Sequence, residues 1–104
     1  MNKFLAFATA AALGTTGASA ATVGSHLDGA NLLGMAKITL AQARRTALAV
    51  RPGRITDQEL EKERGGTGLR YSFDIKSKGR TFEVGVDART GKVLENDAEG
   101  PNPD

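Results

Sequence analysis

The 104-residue chain carries 14 Lys and Arg against 12 Asp and Glu, with one His and no Cys. Without cysteine there is no disulfide framework and no thiolate metal site, so packing alone must hold the fold. A formal net charge of +2 supplies no one-signed field, which argues against nucleic acid as a partner.

The first 20 residues have the layout of a secretory signal. Met1-Asn2-Lys3 is positively charged, Phe4 to Leu13 is apolar, and Gly14 to Ala20 is small and polar. Ala18-Ser19-Ala20 is an A-x-A site, so cleavage is expected between Ala20 and Ala21. The apolar run is ten residues long, whereas a spanning helix needs roughly 20. No cysteine follows it for lipidation and no twin-Arg pair precedes it. The chain is therefore read as exported, periplasmic or secreted, with no stable membrane anchor. Of the 104 residues, removal of the first 20 leaves 84; one base, Lys3, is lost, leaving 13 basic and 12 acidic side chains. A chain of that size builds one domain with a thin core.

Residues 21–37 are rich in Gly and Ala without sustained periodicity, which predicts a flexible lead-in with a short helical turn near Ala30 to Lys37. Thr39-Leu40-Ala41-Gln42 is a capping box, flanked by Ile38 and Ala43 as a hydrophobic staple. Leu40, Ala43, Ala47 and Val50 then recur at spacings of 3, 4 and 3, one apolar stripe of an amphipathic helix. Pro52-Gly53 ends it.

Beyond Gly53 the period changes to 2. Arg54 to Glu63 is read as a first strand, although Ile55 and Leu60 have opposite parity and demand a bulge or a change of face. Leu69-Arg70-Tyr71-Ser72-Phe73-Asp74-Ile75-Lys76 alternates large apolar with polar residues, the mark of a half-buried antiparallel strand. Thr81 to Asp87 repeats it, with Phe82, Val84 and Val86 on one face, and Lys78-Gly79 between the two marks a hairpin turn. Asp87-Ala88-Arg89-Thr90-Gly91 is a further turn, in which Asp87 accepts from turn amides and Gly91 takes positive φ. Lys92 to Glu95 is a short last strand, and the segment from Asn96 onward, with residues 98–104 as its end, is expected to be a flexible tail.

These elements predict an α+β fold: one N-terminal helix packed on a three- or four-stranded antiparallel β-meander. The expected buried set is Ile38, Leu40, Val50, Leu69, Tyr71, Phe73, Phe82 and Val84.

The helix with Ala43 and Ala47 on its inner side, the exit Val50-Arg51-Pro52-Gly53, the acidic Glu59-Leu60-Glu61, the strand Tyr71-Ser72-Phe73-Asp74-Ile75 and above all Phe82-Glu83-Val84-Gly85-Val86-Asp87-Ala88-Arg89-Thr90-Gly91-Lys92-Val93-Leu94 resemble the PepSY domain. The likeness spans about residues 37–97, with the domain taken as residues 38–97. That family occurs in propeptides of secreted metallopeptidases, in spore germination proteins and as small stand-alone exported proteins. The resemblance implies a non-enzymatic module that restrains peptidases. Asp87 and Gly91 enter it as turn residues, not as chemistry.

No catalytic residues are expected. Ser25, His26 and Asp28 are hydrolase residue types, but a triad is assembled from separate elements, not from neighbours in a Gly-rich lead-in. Gly65-Gly66-Thr67-Gly68 joins two strands, unlike a phosphate loop that runs into a helix N-terminus. Asp57, Glu59, Glu61 and Glu63 point one way if the strand is regular. They are read as a solvated face, with Asp57, Glu59 and Glu61 as weak metal candidates because a flat strand encircles a cation poorly. Arg44, Arg45, Arg51 and Arg54 lack interleaved aromatics; Arg44 and Arg51 lie beside the apolar stripe, where their stems cover its edge. No cofactor is implied. The expected function is an exported protein-interaction module that binds a protein partner, a peptidase in trans, through a sheet edge or the sheet face away from the helix. The alternative is an envelope protein that binds a cation or small ligand on the Asp57, Glu59 and Glu61 face. Self-association into a homo-oligomer is left open.

Overall fold

The computed structural model describes residues 26–99. The expected signal with its Ala20–Ala21 junction, Ser25 and residues 100–104 lie outside the described residues. Thr39 starts helix α1 (Leu40–Val50). Its Oγ1 accepts from the Gln42 amide at 3.1 Å, and its own amide donates to Gln42 Oε1 at 2.7 Å, so two amides that the helix leaves orphaned are satisfied reciprocally. The amide of Arg51 closes the last turn on the Ala47 carbonyl, before Pro52.

Four strands follow, β1 (Arg54–Lys62), β2 (Leu69–Ser77), β3 (Arg80–Asp87) and β4 (Val93–Ala98), in the order β1-β2-β3-β4 and antiparallel throughout. The fold is α+β, with α1 on one face of the meander. The opposite parity of Ile55 and Leu60 is resolved by a bulge: the register shifts between Ile55 and Asp57, and both apolar side chains are buried. Glu63 follows the end of β1, so it does not extend the acidic row of that strand. The last strand runs to Ala98 rather than ending at Glu95, and the Glu99 amide donates to the Thr81 carbonyl beyond it.

Ala43 and Ala47 are fully buried against Tyr71, Phe73, Ile75, Val84 and Val86. Small side chains let the helix backbone approach the sheet, so the larger strand residues fill the space beneath it. Tyr71 crosses the core and donates its hydroxyl to the Ile38 carbonyl at 2.9 Å. Four expected core members are less than fully buried: Ile38 and Leu40 pack partly against the core, Val50 is 40% exposed in the final helical turn, and Phe82 is half-buried, with the guanidinium of Arg51 3.8 Å over its ring. Leu48, outside the expected stripe, packs partly against the core.

The segment before the helix is tied to the sheet. Its expected turn is a 3-10 helix, Ala30–Met35. The Asp28 carbonyl accepts from Leu60, the Asp28 amide donates to Gln58, and the Lys37 and Ile38 amides both donate to the Ala88 carbonyl. Gly29, at φ 83, lies so close to the Leu60 carbonyl that any Cβ would collide with it.

Candidate protein-interaction surface

Antiparallel register converts a row of acids on one strand into a face. Asp57, Glu59 and Glu61 alternate with the buried Gln58 and Leu60, so they lie on the side of the sheet away from α1. Asp57 pairs with Asp74, which pairs with Glu83, which pairs with Asp97. In the next row Glu59 leads through Ser72 and Gly85 to Glu95. Glu61 accepts the Ser72 hydroxyl at 2.9 Å. Arg70 lies within this face, buried, donating to Glu95 at 3.3 Å and to the Arg64 carbonyl at 2.9 Å. The crowding has an electrostatic consequence. Burial, then the charge of Glu99 and a hydrogen bond with it, then the charge of Asp57, push the Asp74 pKa up to about 6. Glu83 is raised as well, by burial first and then by Glu95 and Asp74.

Among the described residues, no group of three His, Asp or Glu side chains converges as a metal ion requires. Asp57, Glu59 and Glu61 stand along a strand rather than around a point.

Asp87 ends β3 in a different setting. Its Oδ1 accepts from the amides of Arg89 (2.8 Å) and Thr90 (3.0 Å) and from the Thr67 hydroxyl (2.9 Å), and its Oδ2 from the Thr67 amide (2.6 Å). Burial alone would raise its pKa, but these four donors together outweigh it and hold the carboxyl well below the usual range. The same turn closes with the Gly91 amide on the Asp87 carbonyl and Gly91 at φ 81. The carboxylate thus joins the β3–β4 turn to the Gly65–Gly68 loop between β1 and β2.

The two edges of the sheet are unlike. At β1 the bridge between Asp28 and Glu59 covers the middle of the strand, whereas no described residue pairs with the outer side of β4. The Thr81–Glu99 hydrogen bond sets the alternation on β4, and it turns the backbone groups of Asn96 and Ala98 outward. The Asn96 side chain folds back toward the helix, accepting from Arg51 Nε at 3.0 Å and donating to the Val50 carbonyl at 3.4 Å.

Helix, meander and the Val86-to-Gly91 turn fall inside one family match, to Peptidase propeptide and YPEB domain, PepSY, over residues 37–97. The chain belongs to the PepSY family. PepSY domains are associated with peptidase propeptides and inhibitors, mediate protein interactions and are typically extracellular. Neither the curated proteins nor the solved structures give a match to the chain. No helix among the described residues is long and apolar enough to cross a membrane.

Ahead of this PepSY domain, His26 and Asp28 form an exposed pair at 2.7 Å. Arg44 donates at 2.7 Å to Gln58, which itself donates to the His26 carbonyl at 2.8 Å. Gln58 escaped the sequence reading because a glutamine amid acids looks like part of the solvated face. It shares the parity of the buried Leu60 two residues on, and the bulge before Asp57 brings Ile55 onto the same face. Arg45 and Arg54 are exposed, and the four arginines of the helix and its exit do not form one patch: Arg44 turns to Gln58 and Arg51 to Phe82.

Proposed function

We propose that the chain is a non-catalytic, exported PepSY module that binds and restrains a peptidase in trans, by adding a strand of the partner to β4. The open outer side of β4 carries this reading. A partner strand laid there gains main-chain hydrogen bonds from Asn96 and Ala98, and the neighbouring acidic face selects partners with basic side chains at the rim. The contrast with β1, whose edge the chain covers itself, favours β4 as the docking side.

The test uses a secreted zinc metallopeptidase of the kind whose propeptides carry this domain. Added in molar excess, the chain is expected to slow hydrolysis of a peptide substrate. Ala98→Pro removes an outward amide without touching the β3–β4 ladder, a position where an edge strand tolerates proline. It should abolish inhibition while leaving the circular dichroism spectrum unchanged. Undiminished hydrolysis in the presence of the unmodified chain, across several such peptidases, would refute the proposal.

A further inference from the structure

Where the helix exit meets the β2–β3 hairpin, Arg51, Pro52, Ser77, Lys78, Arg80 and Phe82 line a cleft of about 520 Å³, within the size range of small-ligand sites. Phe82 and Pro52 supply its apolar lining, and Arg51, Lys78 and Arg80 its cationic groups. Arg51 lies with its guanidinium carbon 3.8 Å from the ring centroid, and Arg80 approaches the same ring at 5.6 Å. Asn96 takes the Nε–H of Arg51, so ring and amide fix the guanidinium plane, and among the described residues its terminal N–H groups are free to aim at a ligand. Lys78 stands at φ 53 in the hairpin turn, a left-handed conformation that lysine adopts far less readily than glycine or asparagine. The molecule's described ion pairs are His26–Asp28 and Arg70–Glu95. Arg51, Lys78 and Arg80 thus have no carboxylate partner among the described residues, although acids crowd the other face of the sheet.

Like charges gathered around one apolar ring repel each other until an anion joins them. A bare inorganic anion would use the cations and leave uncovered Pro52 and the part of half-buried Phe82 that Arg51 does not cover. A ligand with an apolar body uses both. We infer that this cleft binds a carboxylate carried on a compact apolar body, the C-terminal residue of a peptide being the ligand class that fits. The carboxylate takes the terminal N–H groups of Arg51 and Arg80, with Lys78 and the Ser77 hydroxyl beside them, and the side chain lies against Pro52 and the part of Phe82 that Arg51 leaves uncovered. Planar guanidinium groups match a carboxylate in two parallel hydrogen bonds.

The probe is N-acetyl-Ala-Leu as the free acid, titrated into the full chain and followed by amide chemical shifts, with its C-terminal amide and inorganic phosphate as parallel arms. The acid should shift the signals of Arg51, Ser77, Lys78, Arg80 and Phe82 saturably, while the amide leaves them in place and phosphate binds about tenfold more weakly. Arg80→Gln, an exposed change that spares the core, should weaken the acid by about tenfold; Arg45→Gln, on the helix surface, should not. The inference is overturned if the acid produces no saturable shift, or if the amide binds as well as the acid. Phosphate binding as tightly as the acid overturns it too, as does Arg80→Gln without effect. No peptidase is present in any arm, so the outcome is independent of peptidase restraint.

Discussion

Asp87 and Asp74 are carboxylates of the same sheet, both largely withdrawn from water, and their surroundings drive them in opposite directions. Asp87 is met by four donors, three of them backbone amides. Asp74 is met by Glu99 and Asp57. Burial penalises the charged form of both; what differs is whether hydrogen bonds repay the lost hydration. The first region is a structural joint, held together by its charge. The second is a surface that holds charge at a cost, which the proposed basic partner would relieve.

The largest effect should come from breaking the joint. Asp87→Ala removes an acceptor of four hydrogen bonds and strands amides of both the Thr67 loop and the Arg89–Thr90 turn, so a loss of about 3 kcal/mol is expected from chemical denaturation. Asp87→Asn keeps the shape but not the charge and should lose less. A loss below that of an ordinary surface substitution would show that the joint contributes nothing.

Gly66→Ala probes the same joint from the other side. Gly66 has φ 55, and a Cβ there would collide with Asp87 Oδ2. The left-handed backbone and the collision together should cost about 2 kcal/mol. In the Asp87→Ala background the collision partner is gone and the penalty should shrink, which a double-mutant cycle reads directly.

How much of this was legible depends on whether a residue's role is local. The capping box at Thr39, the alternation of β2 and β3 and the parity conflict of Ile55 and Leu60 are local patterns, and each led to the element found. β4 beyond Glu95 was not legible, since Asn96, Asp97 and Ala98 show no apolar alternation; Asn96 is the inward residue, and its partner is Arg51, 45 positions earlier. The acidic face was visible only along β1, because Asp74, Glu83 and Asp97 join it through strand register. Thr67 on Asp87 and Arg51 on Phe82 are likewise contacts between distant segments, so no spacing within either segment announced them.

Asp74→Asn should move stability the opposite way from Asp87→Ala. The folded pKa of Asp74, about 6, lies above the unfolded value of about 4. The stability it contributes is therefore fully present below about pH 4 and lost as the pH rises through about 6. For Asp87 the folded value lies below the unfolded one, so its contribution is present above about pH 4 and lost as the pH falls. These two groups accordingly place the maximum of stability near about pH 4. Asp74→Asn should flatten the alkaline side, adding on the order of 1 kcal/mol at pH 8. Glu83, raised in the same direction, leaves a residual slope. Thermal midpoints of the two proteins from about pH 4 to pH 8, the range across which Asp74 titrates, decide the matter; parallel curves would mean that Asp74 carries no such charge penalty.

The smallest effect belongs to a third carboxylate, which shows what solvent does to the contrast. Asp28 has a partner closer than three of the four donors to Asp87, His26 Nε2 at 2.7 Å, yet the two side chains are 56% and 77% exposed. Water screens the attraction and solvates either partner alone, so His26→Ala should change stability by less than about 0.5 kcal/mol. The backbone bonds of Asp28 to Gln58 and Leu60 do not depend on the histidine side chain and should keep the β1 edge covered, as slow hydrogen exchange at the Leu60 amide would record. If His26→Ala instead destabilised the chain as much as Asp87→Ala, burial would not be what separates a structural carboxylate from a surface one, and the distinction between the joint and the acidic face would lose its physical basis.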